Sequence, residues 1–139
     1  MKFCIDTADL EEIRQAKAMG VLDGVTTNPS LVKKAGGADF HEHIDEICEI
    51  AGGRGSAEVV SVTYEDILSE ARQLASIHQY MVVKVPLIAE GIKAIETLTA
   101  EAIRTNRTLI SHPPTDSGLE KFRADWRAYE GSLQESPVA

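Results

Sequence analysis

The sequence has no cluster of positive charge and no long hydrophobic run, and these absences exclude several classes of protein. Its 14 basic residues are outnumbered by 22 acidic ones, which gives a net charge of −8 at pH 7. Because lysine and arginine are not clustered, nucleic acid and acidic membrane surfaces are not expected partners. No apolar run approaches the roughly 18 residues of a membrane span, and no signal peptide precedes the first apolar segment.

Cysteine is scarce, and the common metal and phosphate motifs are missing. Cys4 and Cys48 lie far apart, without the spacing of metal ligands, and each belongs to an apolar segment. We therefore predict two free thiols that are buried as small hydrophobes, in a reducing cytoplasm. The histidine spacing does not indicate zinc, and no glycine-rich phosphate loop or Ser-His-Asp arrangement is present.

What the chain does contain is an alternation of short apolar runs with helical patterns. The predicted strands are 3–6, 24–27, 56–62, 81–85 and 105–110, and the predicted helices begin at Asp9, near Phe40, at Thr63, before Ile92 and at Thr115. Strand and helix repeated in this way are typical of parallel β/α units, whose strands are apolar because both faces of the sheet are covered. The sequence therefore predicts an α/β protein.

Polar residues stand at or just past the ends of the predicted strands, namely Asp6, Thr26, Asn28, Glu58 and Lys84. Ligands of such folds bind at the carboxyl ends of the strands. Other interpretations remain open. Asp6 can cap the next helix, and Thr26 and Asn28 can serve a turn. Glu58 and Lys84 can form a buried ion pair, or Lys84 can protect an edge strand.

The functional interpretation of Lys84 follows from its apolar surroundings. Strand alternation places Lys84 and Val82 on one face and Met81, Val83 and Val85 on the other. Burial disfavours the charged form of an amine, and a neutral amine can attack a carbonyl and form a Schiff base. A nearby aspartate and glutamate can then move protons.

These segments in combination resemble the transaldolase family. The segment 24–30 (GVTTNPS) is similar to the family's second-strand signature. The segment 82–86 (VVKVP), followed by Glu90 and Gly91, is similar to its Schiff-base strand. Residues 5–7 and 57–59 resemble its first and third strands. The relatives indicated are the small transaldolases and the fructose-6-phosphate aldolases.

The resemblance implies catalytic roles for four residues. Lys84 forms the Schiff base with a ketose carbonyl, and Asp6 handles the proton of the substrate hydroxyl during carbon–carbon cleavage. Glu58 positions the water used in proton transfer, with the help of Thr108.

The resemblance also implies the substrates. Asn28 hydrogen-bonds the dihydroxyacetone unit and Thr26 lines the pocket. The donor is a ketose phosphate and the acceptor an aldose phosphate, as in the pentose phosphate pathway, with no metal or organic cofactor. Glutamate at position 58 favours transfer, since the aldolases typically carry glutamine there. Aldolase-type cleavage and a non-catalytic structural or binding module remain the alternatives.

Length sets the remaining expectations, because a TIM-type barrel of eight units needs about 250 residues and at least about 200. The resemblance implies a single partial barrel over 1–139, with four units and the start of a fifth strand in 1–108 and a C-terminal helix in 111–133. The units with strands six to eight, which carry the family's phosphate-binding arginine and serine, are missing. Ile88 also replaces a threonine that usually precedes the fourth helix.

The open strand edges of a partial barrel predict a homo-oligomer. The final helical pattern supports this expectation, because its apolar residues follow the spacing of a coiled-coil seam. These apolar residues are Leu119, Phe122, Trp126, Tyr129 and Leu133. The alternative interpretation is that they pack against the core of their own subunit.

Overall fold

The computed structural model describes residues 2–37 and 39–108, together with Ala124 and Arg127. Strands and helices alternate along these residues, which confirms the α/β prediction. Their bounds are β1 (Cys4–Asp6), α1 (Leu10–Ala18), β2 (Gly24–Thr26), α2 (Pro29–Ala35), α3 (Phe40–Ala51), β3 (Arg54–Glu58), α4 (Tyr64–Ile77), β4 (Met81–Pro86), α5 (Ala89–Ala100) and β5 (Thr105–Thr108).

The strands form one five-stranded parallel sheet in the order β1-β2-β3-β4-β5. Each crossover therefore joins neighbouring strands, and right-handed crossovers of this kind place the helices on one face. In agreement, α1 contacts α3, α3 contacts α4, and α4 contacts α5. Sequential strand order with one layer of helices is consistent with a run of β/α barrel units.

The hydrophobic core lies between the sheet and the helices. Strand β4 shows the division of the two faces, because Met81, Val83 and Val85 are buried while Val82 and Lys84 are half-buried. This confirms the predicted faces of that strand. Burial of apolar area, at about 25 cal/mol per Å², is the main force that holds the helices on the sheet. The largest fully buried side chains include Ile13, Val25, Val32, Ile44, Ile47, Val59, Ile67, Val83, Val85 and Leu98.

Two predicted helix starts are confirmed by their capping bonds. Asp9 accepts hydrogen bonds from the N–H groups of Glu11 and Glu12, and Thr63 accepts one from Asp66. The Glu12 side chain does not return a bond to the Asp9 N–H, which donates to the Thr7 hydroxyl at 3.1 Å. The Glu12 carboxylate instead accepts a bond of 2.6 Å from the Thr7 hydroxyl.

Helix α2 is not among the predicted elements, although its signals are present in the sequence. Asn28 caps its start, and Pro29 occupies the first turn, where no backbone N–H donor is needed. Gly36 ends the helix with a φ of 76°, a conformation that favours glycine.

Strand β3 lies earlier than the predicted 56–62. The N–H of Val59 still bonds the Lys84 carbonyl across the sheet at 3.0 Å. The next two N–H groups, of Val60 and Ser61, bond instead to the carboxylate of Glu70 on α4. Because that carboxylate replaces the neighbouring strand as the acceptor, the regular ladder ends.

The prediction for the cysteines is half right. Cys48 is buried and free, but Cys4 is exposed. Phe3 is also 51% exposed, so the prediction of a buried first strand is wrong. The reason is that β1 is an outer strand of only three residues. Cys4 lies with Arg54 beside a cavity of about 370 Å³ at the amino ends of the strands.

The remaining predictions concern the C-terminal part and membranes. The apolar stripe of the final helix lies outside the described residues, as do positions 109 and 110 of the predicted fifth strand. Ala124 and Arg127 are helical, within the range predicted for that helix. In the described part of the chain, no helix is long and apolar enough to cross a membrane.

Candidate active site

The polar residues predicted for the site lie at one edge of the sheet. Asp6, Thr26 and Glu58 are the last residues of β1, β2 and β3, and Asn28 follows β2 by two positions. Lys84 lies two residues before the end of β4. Because the strands are parallel, all of these residues are at the carboxyl edge, where β/α folds bind ligands.

Glu58 and Lys84 form an ion pair within the sheet. They occupy facing positions of β3 and β4, and Lys84 Nζ lies 3.2 Å from Glu58 Oε2. The Glu58 side chain is 5% exposed and that of Lys84 is 19% exposed. The neighbours Val83 and Val85 are fully buried on the opposite face. The pair therefore combines an amine with a proton acceptor in a mostly desolvated place.

A second polar pair joins β1 to β2. Thr26 faces Asp6 in the strand register, and its hydroxyl donates a hydrogen bond of 2.7 Å to Asp6 Oδ1. Asp6 does not cap the next helix, because Asp9 is the capping residue of α1. The capping interpretation of Asp6 is therefore wrong, and its second carboxylate oxygen can act as a proton acceptor.

Asn28 combines the turn chemistry considered above with a place at the site edge. Its side-chain Oδ1 accepts a bond of 3.0 Å from the N–H of Leu31 and so caps α2. An asparagine amide also carries two N–H donors on its nitrogen. The cap fixes which end of the amide is bound to the helix, and the nitrogen is the end that can donate to a ligand oxygen.

Strand β5 places two further residues beside Lys84. Thr108 faces Pro86 across the sheet, and Asn106 faces Lys84 itself. For both, only the backbone is among the described atoms, so the role predicted for the Thr108 side chain stays a prediction. Asn106 was not singled out by the sequence pattern. Only the pairing of the strands identifies it, because Glu58, Lys84 and Asn106 occupy facing positions of β3, β4 and β5.

Ser56 is a second residue that the sequence pattern does not single out. It faces Thr26 on one side and Val82 on the other, on the same face of the sheet as Glu58. Its side chain is 6% exposed, and its hydroxyl has no hydrogen-bond partner among the described residues. The Ser56 hydroxyl is therefore a buried polar group, next to Thr26 in the sheet, that makes no hydrogen bond to the described residues.

Gly91 lets helix α5 approach the strand that carries Lys84. A Cβ at this position would overlap the carbonyl oxygen of Pro86, the last residue of β4. Glycine is therefore required here for close packing rather than for flexibility. Ile88 occupies the N-cap of α5 and provides no side-chain hydrogen bond.

Comparison with known proteins adds an independent line of evidence. A family model described as Transaldolase/Fructose-6-phosphate aldolase matches residues 3–115. A probable transaldolase of Petrotoga mobilis is 54% identical over 113 residues, which are 81% of this chain and 51% of that protein. A probable transaldolase of Chlorobium limicola is 52% identical over 133 residues, covering 91% of this chain and 60% of that protein.

A third relative gives the same proportions. A probable transaldolase of Clostridium botulinum is 52% identical over 110 residues, which are 79% of this chain and 50% of that protein. The chain thus spans between 50% and 60% of the length of these curated relatives.

Proposed function

The chain belongs to the transaldolase/fructose-6-phosphate aldolase family, and from that membership we propose that it is a Schiff-base transaldolase. It would move a dihydroxyacetone unit from a ketose phosphate to an aldose phosphate. The observation that carries this proposal is the Glu58–Lys84 pair, with 3.2 Å between Oε2 and Nζ at the carboxyl edge of the sheet.

Lys84 is the proposed nucleophile. Its amine adds to the ketose carbonyl carbon, the carbonyl oxygen leaves as water, and an iminium forms at Nζ. The amine must first be neutral, and the Glu58 carboxylate beside it is placed to take its proton.

Asp6 is the proposed base for carbon–carbon cleavage. It removes the proton of the hydroxyl on the carbon of the scissile bond that lies farther from the iminium, and the O–H electron pair forms the aldehyde C=O. The electron pair of the broken carbon–carbon bond moves toward the iminium nitrogen and leaves an enamine on Lys84, and an aldose phosphate departs. The bond from Thr26 occupies Asp6 Oδ1, which leaves Oδ2 to accept the proton. Reversal of the same steps on a second aldose phosphate completes the transfer.

The remaining site residues hold water and substrate. We assign Glu58, with Thr108, to the water that carries protons between these steps. Asn28 donates from its amide nitrogen to a hydroxyl of the dihydroxyacetone unit, because its Oδ1 already caps α2. Thr26 lines the pocket, and its hydrogen bond to Asp6 holds it next to that carboxylate. These steps need no metal or organic cofactor. The two free cysteines fit a reducing cytoplasm.

The sheet is proposed to be part of a barrel that a second copy of the chain completes. Among the described residues, β1 and β5 are the outer strands of the sheet. Three large apolar side chains are exposed, Phe3 just before β1 at 51%, and Met19 at 73% and Val21 at 55% between α1 and β2. Light scattering at micromolar concentration tests this assembly. A dimer or higher oligomer is expected, and a folded monomer would contradict it.

Turnover with and without an acceptor tests the activity. With fructose 6-phosphate alone, a transaldolase releases at most one equivalent of aldose phosphate per site, because the dihydroxyacetone unit stays on the lysine. Addition of a second aldose phosphate should start continuous release. Continuous release without an acceptor would instead indicate an aldolase, and no release under either condition would indicate a non-catalytic module.

A further inference from the structure

Glu70 holds the backbone that directly follows Glu58. It lies in the second turn of α4, and its two carboxylate oxygens accept hydrogen bonds from two consecutive N–H groups. Oε1 lies 2.9 Å from the nitrogen of Val60, and Oε2 lies 3.0 Å from that of Ser61. The contact therefore joins the middle of a helix to the end of a catalytic strand.

The bonds to Glu70 begin where the hydrogen bonding between β3 and β4 ends. The last ladder bond of β3 toward β4 runs from the Val59 N–H to the Lys84 carbonyl at 3.0 Å. Beyond that point the sheet no longer constrains the chain, and the Glu70 carboxylate takes its place. Val60 is buried, so its N–H needs a partner inside the protein. Hydrogen bonds to an ionised carboxylate are about twice as strong as neutral ones.

We propose that Glu70 is a positioning residue of the active site. By fixing the N–H groups of Val60 and Ser61, it stops the end of β3 from relaxing and so keeps Glu58 within reach of Lys84. This inference rests on the proposed Schiff-base function and adds to it a residue on the helix side of the sheet. Glu70 touches neither Lys84 nor substrate in this account and acts only through the backbone.

Two substitutions of Glu70 test the proposal. Glu70→Ala removes both acceptors, whereas Glu70→Gln keeps one oxygen and replaces the other with a donor. Displacing a reacting group by about 1 Å can cost on the order of 100-fold in rate. We therefore expect Glu70→Ala to lower kcat at least about tenfold with little change in KM, and Glu70→Gln to fall between that variant and the wild type.

Glu65 provides the matched control. It lies in the first turn of the same helix, is exposed, and is not a partner of the Val60 or Ser61 N–H. Glu65→Ala removes the same charge from α4 and should leave kcat unchanged. If Glu70 acts through Glu58, Glu70→Ala should have no further effect on kcat in a Glu58→Gln background. Equal losses of kcat in both backgrounds would overturn the proposal.

A spectroscopic measurement keeps the proposal testable if the wild type shows no turnover. Amide hydrogen exchange at Val60 and Ser61 reports whether their N–H groups stay bonded to Glu70, and the chemical shifts of the Lys84 side chain report the electrostatic environment that Glu58 creates. Glu70→Ala should speed exchange at both amides and shift the Lys84 signals, whereas Glu65→Ala should do neither. Faster exchange with unchanged Lys84 signals would reduce Glu70 to a structural role and contradict the proposal.

Discussion

Glu58 Oε2 and Lys84 Nζ lie 3.2 Å apart at facing positions of two neighbouring parallel strands. Glu58 is 5% exposed, so its carboxylate has little contact with water. Replacing a buried ion pair with apolar residues is often neutral or stabilising, because desolvating two charges costs about as much as their attraction returns. Stability alone is therefore a weak reason for the pair, and chemistry at Lys84 is the stronger one.

The pair should show strong energetic coupling in unfolding measurements. Lys84→Met leaves a buried carboxylate without its lysine, and we expect the free energy of unfolding to fall by about 3 kcal/mol. In a Glu58→Gln background Lys84 has already lost its carboxylate partner, and Lys84→Met leaves no unpaired buried carboxylate behind, so the same change should cost much less. Urea unfolding of the four proteins measures this difference. Additive effects of the two substitutions would show that the side chains do not interact.

Asp6→Asn should separate the two chemical steps. An amide cannot take the substrate proton, so cleavage should slow by at least about 100-fold. The Schiff base at Lys84 does not need that proton and should still form, so trapped adduct should equal or exceed that of the wild type. Asp9→Asn is the control, because asparagine caps a helix as well as aspartate does. Loss of adduct in Asp6→Asn would contradict this division of roles.

Helix α5 should be stabilised by a better capping residue. Ile88 occupies its N-cap without a side-chain hydrogen bond, and threonine there can accept one from the first turn. Such caps contribute about 1 kcal/mol, so Ile88→Thr should raise the free energy of unfolding by that amount. Ile88→Val, similar in size but without a hydroxyl, should not. Equal stability of the two variants would show that capping does not limit this helix.

The buried thiol of Cys48 should make stability fall at alkaline pH. The pKa of Cys48 is raised from 9.0 to about 11, chiefly by burial and also by the Asp45 carboxylate, while a hydrogen bond from the Gly55 backbone acts to lower it. Because the folded pKa lies above the unfolded one, this stabilisation is complete below pH 9 and is lost as pH rises toward 11.

Chemical denaturation at pH 8 and pH 10.5 measures this effect. Relative to Cys48→Ala, the wild type should lose on the order of 2 kcal/mol more over that range. The same loss in both proteins would show that another group is responsible.

Much of the fold follows from local patterns, and the exceptions depend on contacts distant in sequence. The strand and helix alternation is predictable because the parallel strands are apolar, and the caps at Asp9 and Thr63 are visible as side-chain types. The end of β3 is not predictable in this way. It depends on Glu70, which lies ten residues after Val60 and accepts the hydrogen bonds of N–H groups that would otherwise continue the strand ladder. The exposure of Cys4 depends on β1 being an outer strand.

The site divides in the same way. Glu58 and Lys84 are visible in the sequence because charged residues within apolar strands are unusual. Ser56 and Asn106 are ordinary residue types, and only the strand register places them beside Thr26 and Lys84. The use of Asn28 Oδ1 as the cap of α2 likewise emerges only with that helix.

The account depends most on a covalent bond at Lys84, and borohydride trapping measures that bond directly. The protein is incubated with fructose 6-phosphate, reduced with sodium borohydride, digested and examined by mass spectrometry. A reduced adduct on the peptide that contains Lys84, absent in Lys84→Met, is the predicted result. No adduct at saturating substrate, or an adduct that persists in Lys84→Met, would contradict the account.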